Sequence, residues 1–234
     1  TADQAAKNPD TYFAIVDEVV DAPNVKPIVF DTAQAAFLAG YLAAGVTQTG
    51  KVATFGGGNQ PPVTLFMDGF VDGVAKYNEV HGTAVVALGW EKATQDGVFT
   101  GDFEDINKGL VTAQGFIDQG ADVILPVAGQ VGEGAARAAL DSNGKVSIIW
   151  VDSDGYDVLS DDFKPVLLTS VLKNTGDAVV EIVGSSIDGT FDNKQFVGTL
   201  ENGGVDIAPY HDLASKVSAE LAGEIDGLRA DIVS

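Results

Sequence analysis

The sequence predicts an α/β protein built on mostly parallel sheet, and three observations carry that prediction. Short apolar runs rich in Val and Ile alternate with segments of 3.6-residue periodicity almost from end to end. Those runs are continuously apolar, as expected of strands covered on both faces by helices. A chain of 234 residues, 45% hydrophobic and 20% charged, is long enough for one large domain or two modest lobes around a sizeable core.

Taken in order, the candidate strands are "YFAIV" (12–16), "VKPIVF" (25–30), "KVATF" (51–55), "TAVVAL" (83–88), "ADVILPV" (121–127), "VSIIWV" (146–151), "PVLLTSV" (165–171) and "QFVGTL" (195–200). The first helical pattern, "DTAQAAFLAGYLAAGV" (31–46), opens with Asp31 as its expected N-cap and Gln34 at the capping-box position. Helical periodicity returns in "PVTLFMDGFVDGVAKYN", "INKGLVTAQGFIDQG", "GEGAARAALDSNG", "TGDAVVEIVGSSIDG" and the terminal "LASKVSAELAGEIDGLRADIV". No internal repeat or low-complexity linker divides the chain.

Composition removes several function classes. Acidic residues number 34 against 13 basic ones, a net charge of −21 that repels phosphate backbones and argues against nucleic acid as a partner. Cysteine is absent, so disulfides, thiol nucleophiles and zinc–thiolate sites are excluded. The two histidines, His81 and His211, have no second histidine at ligand spacing and read as solvent-facing residues. No apolar run approaches the roughly 20 residues that span a bilayer, and neither a signal peptide nor a lipidation motif is visible.

In sheets of this kind ligands bind beyond the carboxyl ends of the strands, and those positions are chemically distinctive here. "AIV" ends in Asp17, "KVATF" in "GGGN", "ADVILPV" in "AGQVGEG", "VSIIWV" in "DSDG", and "LLTSV" is followed by Lys173. The glycine clusters lack the spacing of a P-loop or a dinucleotide fingerprint and read as tight strand-to-helix turns, so no nucleotide cofactor is implied. "DSDGYD" is only half of a calcium loop, with no acid at its twelfth position. "SVLK" (170–173) matches S-x-x-K without its companion motifs, and no histidine is placed to activate a serine.

Asp152 directly terminates a buried strand, where a carboxylate can accept hydrogen bonds from sugar hydroxyls. Asp154, two residues on, points to the opposite side in an extended chain and reads as a loop or cap residue. The loop 89–109 carries Trp90, Phe99 and Phe103. Each either packs down on the protein or offers a flat face to a planar ligand.

Six stretches, "AAFLAGYLAA", "GKVATFGGGNQPPVTLFMDGFVDGV", "FTGDFEDINKG", "QGADVILPVAGQVGEGAARAA", "WVDSDGY" and "LLTSVLK", occur in the order found in the basic membrane protein family. The chain resembles that family, the purine-nucleoside-receptor-like substrate-binding lipoproteins of ABC importers, over essentially its whole length. The resemblance implies a type I periplasmic-binding-protein fold, with two doubly wound lobes joined by three crossovers and closing on a nucleoside. It also implies permease subunits as partners, an extracytoplasmic location, attachment to the membrane only through a lipid anchor outside this chain, and no catalysis. Matched to the family's motifs, Asp152 and Lys173 hold the ribose, Phe103 stacks on the base, and Gly129 and Asp17 complete the site. The loop from Trp90 to Thr100 is longer than in short-loop members, so Trp90 or Phe99 is expected to share the stacking.

The family's opening strand and its F-N-D-type motif have no counterpart here. The expectation is therefore a first lobe that is incomplete, lacking a quarter to a third of a full receptor. Residues 1–23 are then the remnant of the first lobe and 24–165 the second lobe, while 166–234 form crossover segments and C-terminal helices completing both. Two other function classes compete with the receptor: a nucleoside hydrolase, which would need several aspartates clustered at one strand end, and a ligand-sensing receptor reusing the same fold.

Overall fold

A computed structural model describes residues 1–234. The chain opens with α1 (Ala2–Lys7), β1 (Phe13–Val16), β2 (Val25–Phe30), α2 (Thr32–Val46), β3 (Lys51–Gly56), α3 (Pro61–His81) and β4 (Val86–Leu88). A small hairpin of β5 (Trp90–Glu91) and β6 (Asp96–Gly97) precedes α4 (Ile106–Asp118), β7 (Val123–Val127), α5 (Val131–Asp141), β8 (Ser147–Asp152) and α6 (Gly155–Val158). Then follow β9 (Leu167–Lys173), α7 (Thr175–Ile187), β10 (Phe196–Gly198), β11 (Val205–Ile207) and α8 (Ala219–Ile232).

Two sheets organise these elements. The larger has the order β11-β9-β8-β7-β3-β4, parallel except for β11, which runs antiparallel along the edge of β9. The smaller is a parallel trio, β1-β2-β10. Alternate residues of the large sheet enter different cores. Val52, Val123, Leu125, Val127, Ile149 and Val151 pack with α2, α3 and α8. Ala53, Phe55, Ile124, Ile148 and Trp150 face α4 and α5. Coverage on both faces explains why these strands are apolar at every position.

The helix pairs approach backbone to backbone through their glycines. A Cβ added at Gly40 of α2 would lie 2.0 Å from the Phe70 carbonyl of α3, and one at Gly109 of α4 would lie 1.8 Å from the Val131 carbonyl of α5. The small-residue pattern "AAFLAGYLAAG" is thus a packing surface, and α2 is buried over most of its length.

Three details differ from the sequence reading. β2 pairs with β1 and β10, so the passage to the large sheet falls after Phe30, not at residue 24. "VKPIVF" suits either sheet, and only its pairing partners decide. Asp31 does not cap α2 through its side chain; its Oδ2 accepts from Gln34 Nε2 (3.0 Å), while Gln34 Oε1 accepts the Leu200 amide (2.9 Å). That arrangement ties two of the three passages between the sheets together, 30–32 and 198–205; the third is 173–175. The histidines are not free in solvent either. His81 bonds Glu224 and His211 bonds Asp154, with both side chains mostly covered.

Candidate ligand-binding site

A cleft of about 690 Å³ lies between the two sheets, at the carboxyl ends of their parallel strands. That volume is within the range of small-molecule pockets, roughly 300–1,000 Å³. In each sheet one strand ends in an acid at its rim. The small sheet ends β1 in Asp17, whose amide donates to the Ile28 carbonyl (2.9 Å). The large sheet ends β8 in Asp152.

Both aspartates have left-handed backbones, φ 62° at Asp17 and φ 70° at Asp152, and Gly129 beyond β7 has φ 55°. Glycine accepts this conformation freely, whereas in a non-glycine residue it costs on the order of 1 kcal/mol. The strain turns the chain sharply at the strand end and leaves the carboxylate over the cleft.

Lys173, the last residue of β9, lies between the two acids. Its ammonium donates to Asp17 Oδ2 at 2.7 Å and sits 3.3 Å from Asp152 Oδ1. The lysine side chain is 7% exposed, against 34% for Asp17 and 54% for Asp152, so the cation is sunk in the floor and the carboxylates reach toward solvent. Phe66 and Phe30 present their rings to the ammonium, with centroids 5.2 and 6.0 Å from Nζ. One ammonium therefore joins an acid from each sheet.

Phe103 is positioned by the strand end of β3. The segment 98–101 runs beside it, with Gly56 N–H donating to Val98 O (3.0 Å) and Gly101 N–H to Gly57 O (2.9 Å). The ring then lies against Gly57, where an added Cβ would come within 2.3 Å of it, so "GGGN" is the bed on which the aromatic rests. Asp102 secures the turn. Its Oδ1 accepts the amides of Glu104 and Asp105 (3.0 and 2.9 Å) and its Oδ2 binds the Lys108 ammonium. That lysine and the two amides hold the Asp102 carboxyl down at about 2.

Of the six residues singled out from sequence, Asp17, Phe103, Gly129, Asp152 and Lys173 line this cleft. Trp90 does not. It is buried at the start of the hairpin, edge-on to Phe99 (5.9 Å between centroids), with Nε1 donating to Asp68 Oδ1 at 2.8 Å. Its ring is part of the core, and no face is free to stack on a ligand. Asp154 turns away from the cleft, accepting from Tyr156 N and bonding His211. Sequence reasoning missed Glu18, Phe30, Gln60 and Phe66, which also line the cleft. Phe66 lies in the apolar period of α3 and reads as core, while Gln60 was legible only as the residue before Pro61.

The lining combines apolar walls (Phe30, Val63, Phe66, Phe103, Val127, Val151) with Asp17, Glu18 and Asp152 against the single cation Lys173. Such a site suits a neutral ligand with a planar apolar part and hydroxyl donors. An anionic ligand would meet the carboxylates, and the one cation is already paired with two of them. Nowhere in the chain do three or more His, Asp or Glu side chains gather in an arrangement that could hold a metal ion.

Comparison with known proteins gives a consistent picture. The family model described as ABC transporter substrate-binding protein PnrA-like matches residues 1–234. The ABC transporter nucleoside-binding protein BmpA of Lactococcus lactis is 29% identical across 100% of this chain, which covers 65% of that protein. Basic membrane protein B of Borrelia garinii is 33% identical over 74% of the chain and 48% of its own length. The chain thus spans about half to two thirds of the curated relatives it matches. Among solved structures, an ABC transporter solute-binding protein from Aeropyrum pernix superposes with a TM-score of 0.85 at 22% identity, covering 99% of this chain and 71% of that one. One from Conexibacter woesei gives 0.72 at 22% identity, with 99% and 72% covered. At these identities the structural matches speak for the fold, which is the α/β solute-binding architecture of two sheets facing a cleft.

Proposed function

We propose that this chain, which belongs to the family of PnrA-like ABC transporter substrate-binding proteins, forms the greater part of a nucleoside-binding cleft in an extracytoplasmic receptor serving an importer. The observation that carries the reading is the convergence of Asp17 and Asp152, from two different sheets, on the buried Lys173 beside Phe103. The carboxylates accept hydrogen bonds from the ribose hydroxyls, and Lys173 donates to a hydroxyl or ring oxygen while bridging the two acids. Phe103 provides an apolar face for the base. Purines suit it better than pyrimidines because the larger ring covers more of the exposed Phe103 face.

Nothing in this arrangement requires chemistry. A receptor must release its ligand unaltered, and the permease subunits then accept it. No helix here is long and apolar enough to cross a membrane. The test is a titration with guanosine, inosine, cytidine and guanosine monophosphate, with free base and ribose assayed in the same samples. The expected result is saturable binding of the purine nucleosides, weaker binding of the monophosphate, and no free base. Hydrogen bonds to a charged group contribute about 1.5–3 kcal/mol, so Asp152→Ala should weaken guanosine by about ten-fold or more. Steady release of base, abolished by Asp152→Asn, would replace the receptor by a hydrolase; unchanged affinity in Asp152→Ala would remove the ribose assignment.

A further inference from the structure

Resting on that reading, we propose that His211 is a positioning residue for Asp152: it locks the loop 153–156 so that the carboxylate ending β8 keeps its place over the cleft. Asp152 is 54% exposed on its side chain and has a left-handed backbone. Neither property keeps a residue in place. Pairing with Leu172 of β9 and the Lys173 contact hold it on one side, and the segment immediately following it, which is well bonded, supplies the constraint on the other.

Ser153 N–H turns back onto the Val151 carbonyl (2.9 Å). Asp154 then points away from the cleft and makes three contacts. Its Oδ1 caps α6 by accepting the Tyr156 amide (3.1 Å) and lies 3.4 Å from Ser170 Oγ; its Oδ2 meets His211 Nε2 at 2.7 Å. Ser170 Oγ, on β9 and buried, also accepts the Gly155 amide at 2.9 Å. His211 comes from the edge of the large sheet, in the turn after β11. Its ring stacks on Tyr156 at 4.0 Å and an interplanar angle of 11°. The Tyr156 hydroxyl donates to Asp212 (3.0 Å), and Lys164 lies 4.5 Å above the same ring.

These contacts grip residues 153–156 from two directions. Ser170 anchors them to the strand that carries Lys173, and His211 anchors them to the segment leaving the edge strand β11. The Asp152 carboxylate and the Lys173 ammonium are thereby held in register through backbone on both sides of their 3.3 Å contact. His211 itself has φ 42°, a second strained residue in the clamp. It is not part of the cleft lining and acts on the loop through Asp154 and Tyr156. Phe at this position would keep the stack on Tyr156 and lose only the hydrogen bond to Asp154.

The experiment is a double-mutant cycle on guanosine affinity, followed by NMR titration of the 234-residue chain so that micromolar to millimolar constants are all measurable. His211→Phe keeps the stack on Tyr156 and removes the donor; His211→Gln keeps a donor near the position of Nε2. Both carry the same backbone penalty at φ 42°, so their difference isolates the hydrogen bond. The expected result is a loss of about five-fold in His211→Phe and recovery to within about two-fold in His211→Gln. In the Asp152→Asn background His211→Phe should add less than two-fold, because coupled residues do not act additively. Asp154→Asn, which can still cap α6, should reproduce the His211→Phe loss and provides the second route should that variant fold poorly.

A loss that persists in the Asp152→Asn background, no recovery in His211→Gln, or no loss in either His211 variant would each overturn the positioning role. An Asp152→Asn variant that binds guanosine as well as the parent does would overturn the ribose assignment itself, and that arm alone identifies which of the two ideas has failed.

Discussion

The two sheets face the same cleft but are built to different standards. In the large sheet β7 and β8 are buried at every position up to Asp152, with helices on both faces. In the small sheet β1 alternates half-buried and exposed residues, Val16 faces the cleft, and Val197 of β10 stands at the surface. Its covering helix α7 turns Val180, Val183 and Ile187 outward, and one edge of β1 pairs with nothing. The proposed ligand site therefore has one rigid wall, carrying Phe103, Gly129, Asp152 and Lys173, and one yielding wall carrying Asp17 and Phe30. Local opening is cheapest where few apolar contacts are buried, so within these residues the wall carrying Asp17 is the jaw expected to move first.

The most forceful way to break the comparison is to cut into each half. Phe70, fully buried where α3 meets α2, should cost about 3–5 kcal/mol on replacement by Ala. Ile15 in β1 is only half-buried, and Ile15→Ala should cost about 1 kcal/mol. Urea unfolding of the two variants measures the ratio, and equal losses would show that the small sheet is as well packed as the large one. Hydrogen exchange should agree, with β7 and β8 amides protected by orders of magnitude more than those of β1.

At the site itself the expected effects are smaller. Asp152→Asn should weaken nucleoside binding by about ten-fold, the loss of a charge-assisted hydrogen bond. Asp17→Asn should weaken it by only about three-fold, because the yielding wall must already be ordered at a cost when ligand binds. Titration calorimetry on the two variants measures both. If Asp17→Asn proved the more damaging, the jaw would be the principal recognition surface and the assignment of walls would be reversed.

Much of this site was legible beforehand because the physics of parallel sheets places polar strand ends at one rim. Asp17, Gly129, Asp152 and Lys173 each follow an apolar run, and the cleft contains all four. What could not be read was pairing at long range. Trp90 stood in a polar loop, and nothing local showed that Asp68, 22 residues earlier, would take its indole N–H into the core. Similarly, the partners of the two histidines lie 143 and 57 residues away, so both looked like surface residues. The strand β11 has only three residues and an antiparallel partner, too short for any periodicity to show. Left-handed φ at two aspartates is equally invisible in sequence, since most aspartates in such turns do not adopt it.

Acid provides a finer probe of the rigid wall. Asp102 holds the turn under Phe103, and Lys108 with two amides lowers its pKa from the ordinary 3.8 to about 2. A group whose folded pKa is depressed stabilises above its unfolded value and loses that contribution as pH falls toward the folded one. The turn should therefore be fully held above about pH 4 and released progressively between pH 4 and 2. The amide shifts of Glu104 and Asp105 report this directly, and Asp102→Asn should abolish the transition. A midpoint at the ordinary aspartate value would mean that the Lys108 contact is not maintained in solution.

The smallest effect expected on stability concerns the outward face of α7. Val180 and Ile187 are exposed, so Val180→Glu with Ile187→Glu should change unfolding free energy by no more than about 0.5 kcal/mol. Association should respond much more. An exposed apolar helix face beside an unpaired β1 edge is a surface on which a second copy can dock, while the net charge of −21 opposes the approach. Salt screens that repulsion, with a Debye length near 10 Å at 0.1 M and 3 Å at 1 M. Self-association of the chain should thus rise with ionic strength and be suppressed by the two glutamates at every salt concentration. Light scattering across a salt series measures both. A parent chain that stays monomeric at 1 M salt would show that the small sheet is better protected than its exposed valines indicate, and would narrow the contrast between the two halves to packing alone.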